Sequence, residues 1–321
     1  MSVDYHVHLE EGPYSFRWLE RTSRALQHFY PVTGEAHHRS WIQSSYKLLS
    51  ERLEKGPYSS EWLDLYLQKA KERNLKEVGI VDHLYRFRET RDYFEKNMDI
   101  SETDLGRKQH QWLKQVMTEN MGDYVDFIES QKQKWAEHGI KLKLGMEADY
   151  FPGCHNQLKE LLSTHRWDYV IGSVHFVDGW GFDNPEAIDQ FEHYGLEDLY
   201  GRFFQIVEEA IRSGLFDFVA HLDNLKVFNF RPHEEILLPH YEKVARALVD
   251  TNTATEVNAG LFYRYPIKEM CPSPSFLKVL AEAGVRFTTS SDSHFPDDIG
   301  LYVNENTERL KALGIHQIAT F

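Results

Sequence analysis

Apolar positions along the chain follow two alternating rhythms. Short runs rich in β-branched and aromatic residues occur at 3–8, 77–83, 141–147, 168–175, 216–222, 254–258 and 285–292, each bounded by polar or turn residues. Between several of these runs, apolar residues recur at helical spacing. Trp62, Leu65, Tyr66 and Ala70 share one face of 61–73, and Leu199, Phe203, Ile206 and Ala210 share one face of 196–213. The same period runs through 233–250 and 275–283, the latter behind the helix-start signal Pro272-Ser273-Pro274. Strand–helix alternation of this kind implies parallel strands. Seven such units predict an α/β fold, a closed or nearly closed β/α barrel, with a doubly wound open sheet as the alternative. The segment 315–321 is a further candidate strand.

Two connections exceed the usual few residues. One covers about 9–60 and is expected to hold helices near 15–28 and 38–53; the other covers about 84–122. Both leave the C-terminal end of a strand, the face on which a barrel carries its chemistry, and both read as lids or substrate walls.

Composition narrows the function classes. The 321 residues are 41% hydrophobic and carry a net charge of −14, which disfavours a protein built to grip nucleic-acid phosphate. No apolar run approaches the roughly 18 residues that span a bilayer, and the N-terminal residues lack a signal-peptide pattern. Two cysteines, Cys154 and Cys271, exclude a disulfide framework and a cysteine-based zinc ribbon. The expectation is a cytoplasmic protein with no nucleic-acid or membrane partner, its oligomeric state left open.

The strand ends hold the candidate chemistry. His6 and His8 end the first run, Asp82 and His83 the second, Glu147 the third, His175 the fourth and His221 the fifth; Asp292 and His294 end the seventh. Parallel strands bring these ends to one mouth. Residues i and i+2 of a strand share a face, so His6-x-His8 and Asp292-x-His294 can each present two ligands inward. Any one of these pairs alone is a weak signal, and a single buried histidine more often sits in a core hydrogen bond. Six of seven strand ends with His, Asp or Glu is a different matter. Imidazole and carboxylate suit zinc, manganese or iron, and this many ligands exceed one tetrahedral ion, so two to three divalent ions are expected. His28, His110, His138, His165, His193, His240 and His316 read as surface or helix-face residues.

In order, His6-Val7-His8, Val81-Asp82-His83, Gly145-Met146-Glu147, Gly172-Ser173-Val174-His175, Ala220-His221 and Ser291-Asp292-Ser293-His294 resemble the motifs of the PHP family of metal-dependent phosphoesterases. The stretches 173–180 and 256–261, followed by Arg264, Pro266, Glu269, Pro272 and Ser273, resemble its histidinol-phosphate phosphatase branch. The resemblance implies a distorted (β/α)7 TIM-like barrel forming a single PHP-type domain over 1–321, a trinuclear metal centre and a small phosphorylated substrate. It implies hydrolysis of L-histidinol phosphate to L-histidinol and phosphate, in histidine biosynthesis. Another phosphomonoester, or a metal-binding scaffold without turnover, is the alternative.

Carried over residue by residue, it implies a first ion on His6, His8, Glu147 and Asp292. A second would sit on Glu147, His175 and His221, with Glu147 bridging, and a third on His83 and His294. The family usually has a further ligand six residues beyond the second histidine of the first motif. Here Tyr14 stands there, and Glu11, or else Glu10, is the candidate substitute. Asp82 reads as an orienting neighbour. Arg264, with Arg88 and His175, is expected on the substrate, because a guanidinium fork matches phosphate oxygens. Glu147, Asp292 and His294 are the expected catalytic residues, with Asp292 or a neighbouring histidine as general acid.

Overall fold

A computed structural model describes residues 2–10, 12–32 and 36–321. Its strands are β1 (Val3–His8), β2 (Glu77–Val81), β3 (Lys141–Asp149), β4 (Tyr169–Ser173), β5 (Phe176–Val177), β6 (Trp180–Gly181), β7 (Phe218–Val219), β8 (Ala254–Asn258) and β9 (Phe287–Ser290). Seven form one parallel sheet in the order β1-β2-β3-β4-β7-β8-β9, while β5 and β6 make a small antiparallel hairpin. The outer strands meet. Val7 bridges Ser293 in parallel, and the His8 amide donates to the Ser293 carbonyl at 2.7 Å. The sheet is therefore a nearly closed barrel, and the open-sheet alternative falls.

The sheet strands read as near-continuous apolar runs because both faces are covered. Inside, Tyr5, Val81, Tyr169, Ile171, Phe218 and Ala254 pack together. Tyr169 crosses the interior and donates to the Tyr5 carbonyl at 2.6 Å. Gly79 and Gly145 make room for it: a Cβ on Gly79 would lie 2.0 Å from the Tyr169 hydroxyl. Outside, helices such as Leu196–Arg212 and Glu234–Thr251 bury the apolar faces that their spacing predicts.

Two sequence expectations change. The segment 315–321 forms no strand. The Ala319 amide reaches the sheet, donating to the Phe287 carbonyl at 2.7 Å, without forming a ladder. The Phe321 ring lies 5.4 Å from Tyr5 and 5.0 Å from Phe218, so the apolar tail closes the barrel floor mainly by packing. The helices Met121–Glu137, His155–Leu162 and Val303–Ala312 were not anticipated. The first buries only Met121, Tyr124, Ile128 and Trp135 in 17 residues, a stripe too thin to stand out.

Both long connections lie where expected. The first contains helices Phe16–Phe29 and Arg39–Lys55; the Ser15 side chain caps the former, accepting from the Trp18 amide at 3.2 Å. The second winds through the 3₁₀ turns Leu84–Arg86 and Arg88–Thr90 into helices Arg91–Asn97 and Asp104–Val116. Among the described residues, no helix is long and apolar enough to cross a membrane.

Candidate metal centre

Polar side chains gather at the C-terminal ends of the sheet strands. His6 and His8 close β1; His83 follows β2, Glu147 lies within β3, and His175, His221 and Asp292 follow β4, β7 and β9. His221 and Asp292 adopt positive φ, +25° and +53°. Non-glycine residues seldom take that conformation, and here it accompanies the turn of each side chain into the barrel mouth.

Glu147 is the hub, and it is fully buried. Its Oε2 lies 3.1 Å from His6 Nε2, 3.2 Å from His8 Nε2 and 2.9 Å from His83 Nδ1. Its Oε1 lies 3.2 Å from His221 Nε2 and 3.6 Å from His175 Nε2. Asp292 Oδ1 stands 3.8 and 3.9 Å from the same nitrogens of His6 and His8. The His8 ring stacks between His83 and His294, with centroids at 4.2 and 4.3 Å. Donor atoms gather within 4.8 Å in four overlapping groups: His8/His83/His294, His6/Glu147/His221, His6/His8/Asp292 and His83/Glu147/His175.

Electrostatics fit cation binding. Burial disfavours charge on Glu147, yet His83 and His6 hold its carboxyl well below the usual range. Asp292 is likewise held low against its burial, by His6 and Arg264. Burial, with His83 beside it, pushes His8 down to about 3, and burial and Arg264 push His294 far down. Burial works against charge on His6, but Glu256, Glu147 and Asp292 raise it well above its usual value. His175 is raised to about 10 against its burial by the Asp149 carboxylate.

The donor set passes a stricter test. His8 Nε2 and His83 Nδ1 face Glu147 closely yet form no hydrogen bond, and His221 Nδ1 also has no partner among the described residues. Buried polar atoms left unbonded are costly. Converging imidazoles and carboxylates with some ring nitrogens left unbonded suit cations seated among them.

Two carboxylates that sequence reasoning missed support this ring. Asp149 lies 2.7 Å from His175 Nδ1, and Glu256 lies 3.1 Å from His6 Nδ1. Each fixes its imidazole so that Nε2 faces Glu147. The signal was available: Glu147 and Asp149 are an i, i+2 pair on one strand, as are Glu256 and Asn258. Asn258 donates to Glu256 at 2.8 Å and to Asp292 at 3.2 Å.

Arg264, at the end of the short helix Gly260–Arg264, reaches the rim. Its Nη1 donates to His294 Nδ1 at 2.7 Å and lies 3.4 Å from Asp292 Oδ1. Asp82 is no part of the cluster: it accepts from the Tyr58 hydroxyl at 2.6 Å and from Arg86 Nε at 3.3 Å.

Three expectations fare differently. Arg88 is exposed and lines neither cavity of the site, so its position gives a phosphate clamp no support; Arg86 is the arginine turned inward, buried against Asp82 and Glu119. Across the two 3₁₀ turns Arg86 and Phe87 are buried, whereas Arg88 and Glu89 face outward. Glu10 is turned away from the cluster, accepting from Trp18 Nε1 at 2.5 Å and Arg52 Nη2 at 2.8 Å. Glu11, the preferred substitute ligand, lies outside the described residues.

Two cavities open on the centre. One of about 90 Å³ is walled by the cluster itself, including Glu147, His175, His221, Asp292 and Arg264. The other, about 670 Å³, adjoins it beneath the two long connections, with Trp18, Tyr85, Trp112 and Phe176 in its walls.

The family model for the PHP domain matches residues 58–260. The chain belongs to the PHP domain family. A Deinococcus radiodurans protein named "Probable histidinol-phosphatase" is 34% identical over 199 residues, 61% of this chain and 74% of that one. The Lactococcus lactis "Histidinol-phosphatase" is 24% identical over 272 residues, 80% of this chain and 87% of that one. A crystal structure of Lactococcus lactis histidinol phosphate phosphatase, complexed with zinc, L-histidinol and phosphate, superposes with a TM-score of 0.61. It is 18% identical, covering 80% of this chain and 89% of that one, and bears out the PHP barrel.

Proposed function

We propose that this PHP protein hydrolyses L-histidinol phosphate to L-histidinol and phosphate. The observation that carries the reading is the ring of imidazoles about Glu147, opening on a cavity that Arg264 also lines. The histidinol-phosphatase relatives, and the zinc, histidinol and phosphate in the Lactococcus structure, give it a substrate. The activity takes its place in the cytoplasm, where Cys154 and Cys271 stay as free thiols.

The cluster would take two to three divalent ions, zinc, manganese or iron, in the allotment that the family resemblance implies. His6, His8, Glu147 and Asp292 would hold one, Glu147, His175 and His221 a second, and His83 with His294 a third. Such ions, when bound, acidify water and neutralise phosphoryl oxygens. The protein's own groups do the rest. Glu147, kept ionised, spans the centre with both oxygens. Asp149 and Glu256 lock the His175 and His6 rings.

Asp292 and Arg264 each keep 15% of the side chain exposed, whereas Glu147 keeps none, so those two meet the substrate. Arg264 clamps the phosphate. Asp292, ionised and beside His294, takes the proton of the attacking water and returns it to the leaving alkoxide.

The test is phosphate release by wild type and by Glu147→Ala, with the fold of each checked by circular dichroism. Loss of turnover in a folded variant supports the reading. Near wild-type turnover contradicts it.

A further inference from the structure

We infer that Asp183 recognises a positively charged group of the substrate, and so selects phosphate esters of amino alcohols. The inference deepens the proposed function and rests on it. Four observations carry it.

Asp183 is the one acid among the residues lining both cavities, the cluster cavity and the larger chamber beside it. It therefore stands where a substrate with its phosphate in the centre would place its nearest substituent. Its carboxylate makes no hydrogen bond or ion pair with another side chain among the described residues. A half-buried carboxylate with no bonded side-chain partner is poised for a cation that arrives with the ligand.

Asp183 is also firmly placed. The hairpin of β5 and β6 delivers it: the Phe182 amide donates to the His175 carbonyl at 3.2 Å, Phe182 is fully buried, and the Gly181 amide donates to Gln109 Oε1 at 2.7 Å. Finally, both signs of charge line the mouth. Burial raises the Asp183 carboxyl, with His175 and His83 opposing the shift and Asp149 adding to it, while Arg264 donates to His294 Nδ1 at 2.7 Å. Arg264, a cation for the phosphate, and Asp183, a carboxylate without a bonded side-chain partner among the described residues, both line the two cavities. That arrangement complements a zwitterion, a phosphate ester bearing an ammonium close along the chain. The aromatic walls of the chamber, Tyr85, Trp112 and Phe176, would receive the rest of the molecule.

The experiment compares wild type with Asp183→Asn and Asp183→Glu, each loaded with the same metal and assayed for bound metal by atomic emission. Substrates are L-histidinol phosphate, its deaminated analogue 3-(imidazol-4-yl)propyl phosphate, and ethanolamine phosphate. In wild type, kcat/KM favours histidinol phosphate over the deaminated ester. In Asp183→Asn that preference falls roughly 10- to 100-fold, chiefly through KM, with metal content unchanged, and Asp183→Glu restores part of it. A preference that survives Asp183→Asn overturns the inference. So does a loss of bound metal with both esters falling together, which would make Asp183 a ligand. If wild type prefers ethanolamine phosphate to histidinol phosphate and Asp183→Asn abolishes its taste for amines, Asp183 has the inferred role and the histidinol reading fails alone.

Discussion

Asp149 lies 2.7 Å from Nδ1 of His175, on the side of the ring turned away from Glu147. Both carboxylates belong to β3, two residues apart, and the imidazole from the end of β4 is held between them. One strand thus supplies the hub of the cluster and the brace of a neighbouring ligand.

Removing the brace should loosen the metal without unfolding the barrel. Asp149→Asn is expected to cost about 10- to 100-fold in metal affinity or activity, as lost partners of ligating histidines generally do. Metal titration of the stripped protein checks it. A variant that binds metal as tightly as wild type would remove Asp149 from the account.

Gly260 offers a steric test of Asp292. A Cβ at that position would lie 2.5 Å from Asp292 Oδ2 and 3.0 Å from Asn258 Oδ1. Gly260→Ala should push the Asp292 carboxylate aside and cut turnover at least about tenfold, since small misplacements of reacting groups are expensive. The helix content should hold, and circular dichroism beside a kinetic assay checks both.

Stripping the metal should abolish phosphatase activity and lower Tm, because ligands packed around Glu147 would lose the cations that bind the folded state. Scanning calorimetry with a chelator, then with zinc or manganese restored, reads both effects. Full activity in the thoroughly stripped protein would contradict the metal-centre reading.

Away from the site, Asp168 staples β4 to its neighbours. It accepts from the Leu144 amide and Lys132 Nζ, both at 2.8 Å, and these hold its carboxyl below its usual value despite partial burial. A depressed folded pKa gives stability that is present above the unfolded value, about 3.9, and lost as pH falls through the folded one. Asp168→Asn should therefore be less stable than wild type at neutral pH, with the gap closing below about pH 4. Urea midpoints across pH 2.5–7 check it.

Much of this architecture was legible in the sequence, for physical reasons. Strands buried on both faces must be apolar throughout, so seven runs stood out, and parallel pairing alone carried His6, His8, His83, Glu147, His175, His221, Asp292 and His294 to one mouth. The i, i+2 rule that paired His6 with His8 would also have paired Glu147 with Asp149 and Glu256 with Asn258. These were passed over because a carboxylate or amide inside a strand has many ordinary uses. The tail at 315–321 misled because a segment that packs on a barrel floor needs the same apolar residues as a strand. Arg88 misled because facing within consecutive 3₁₀ turns is not readable from spacing, and Asp183 stayed hidden because only the hairpin before it aims it inward.

The most direct measurement is kcat/KM for phosphate release from L-histidinol phosphate by the metal-loaded protein, beside a panel of other phosphomonoesters. The account predicts at least about 10⁴ M⁻¹s⁻¹ for L-histidinol phosphate, well above every other member of the panel. Slow hydrolysis of the whole panel with no preference for L-histidinol phosphate would contradict it.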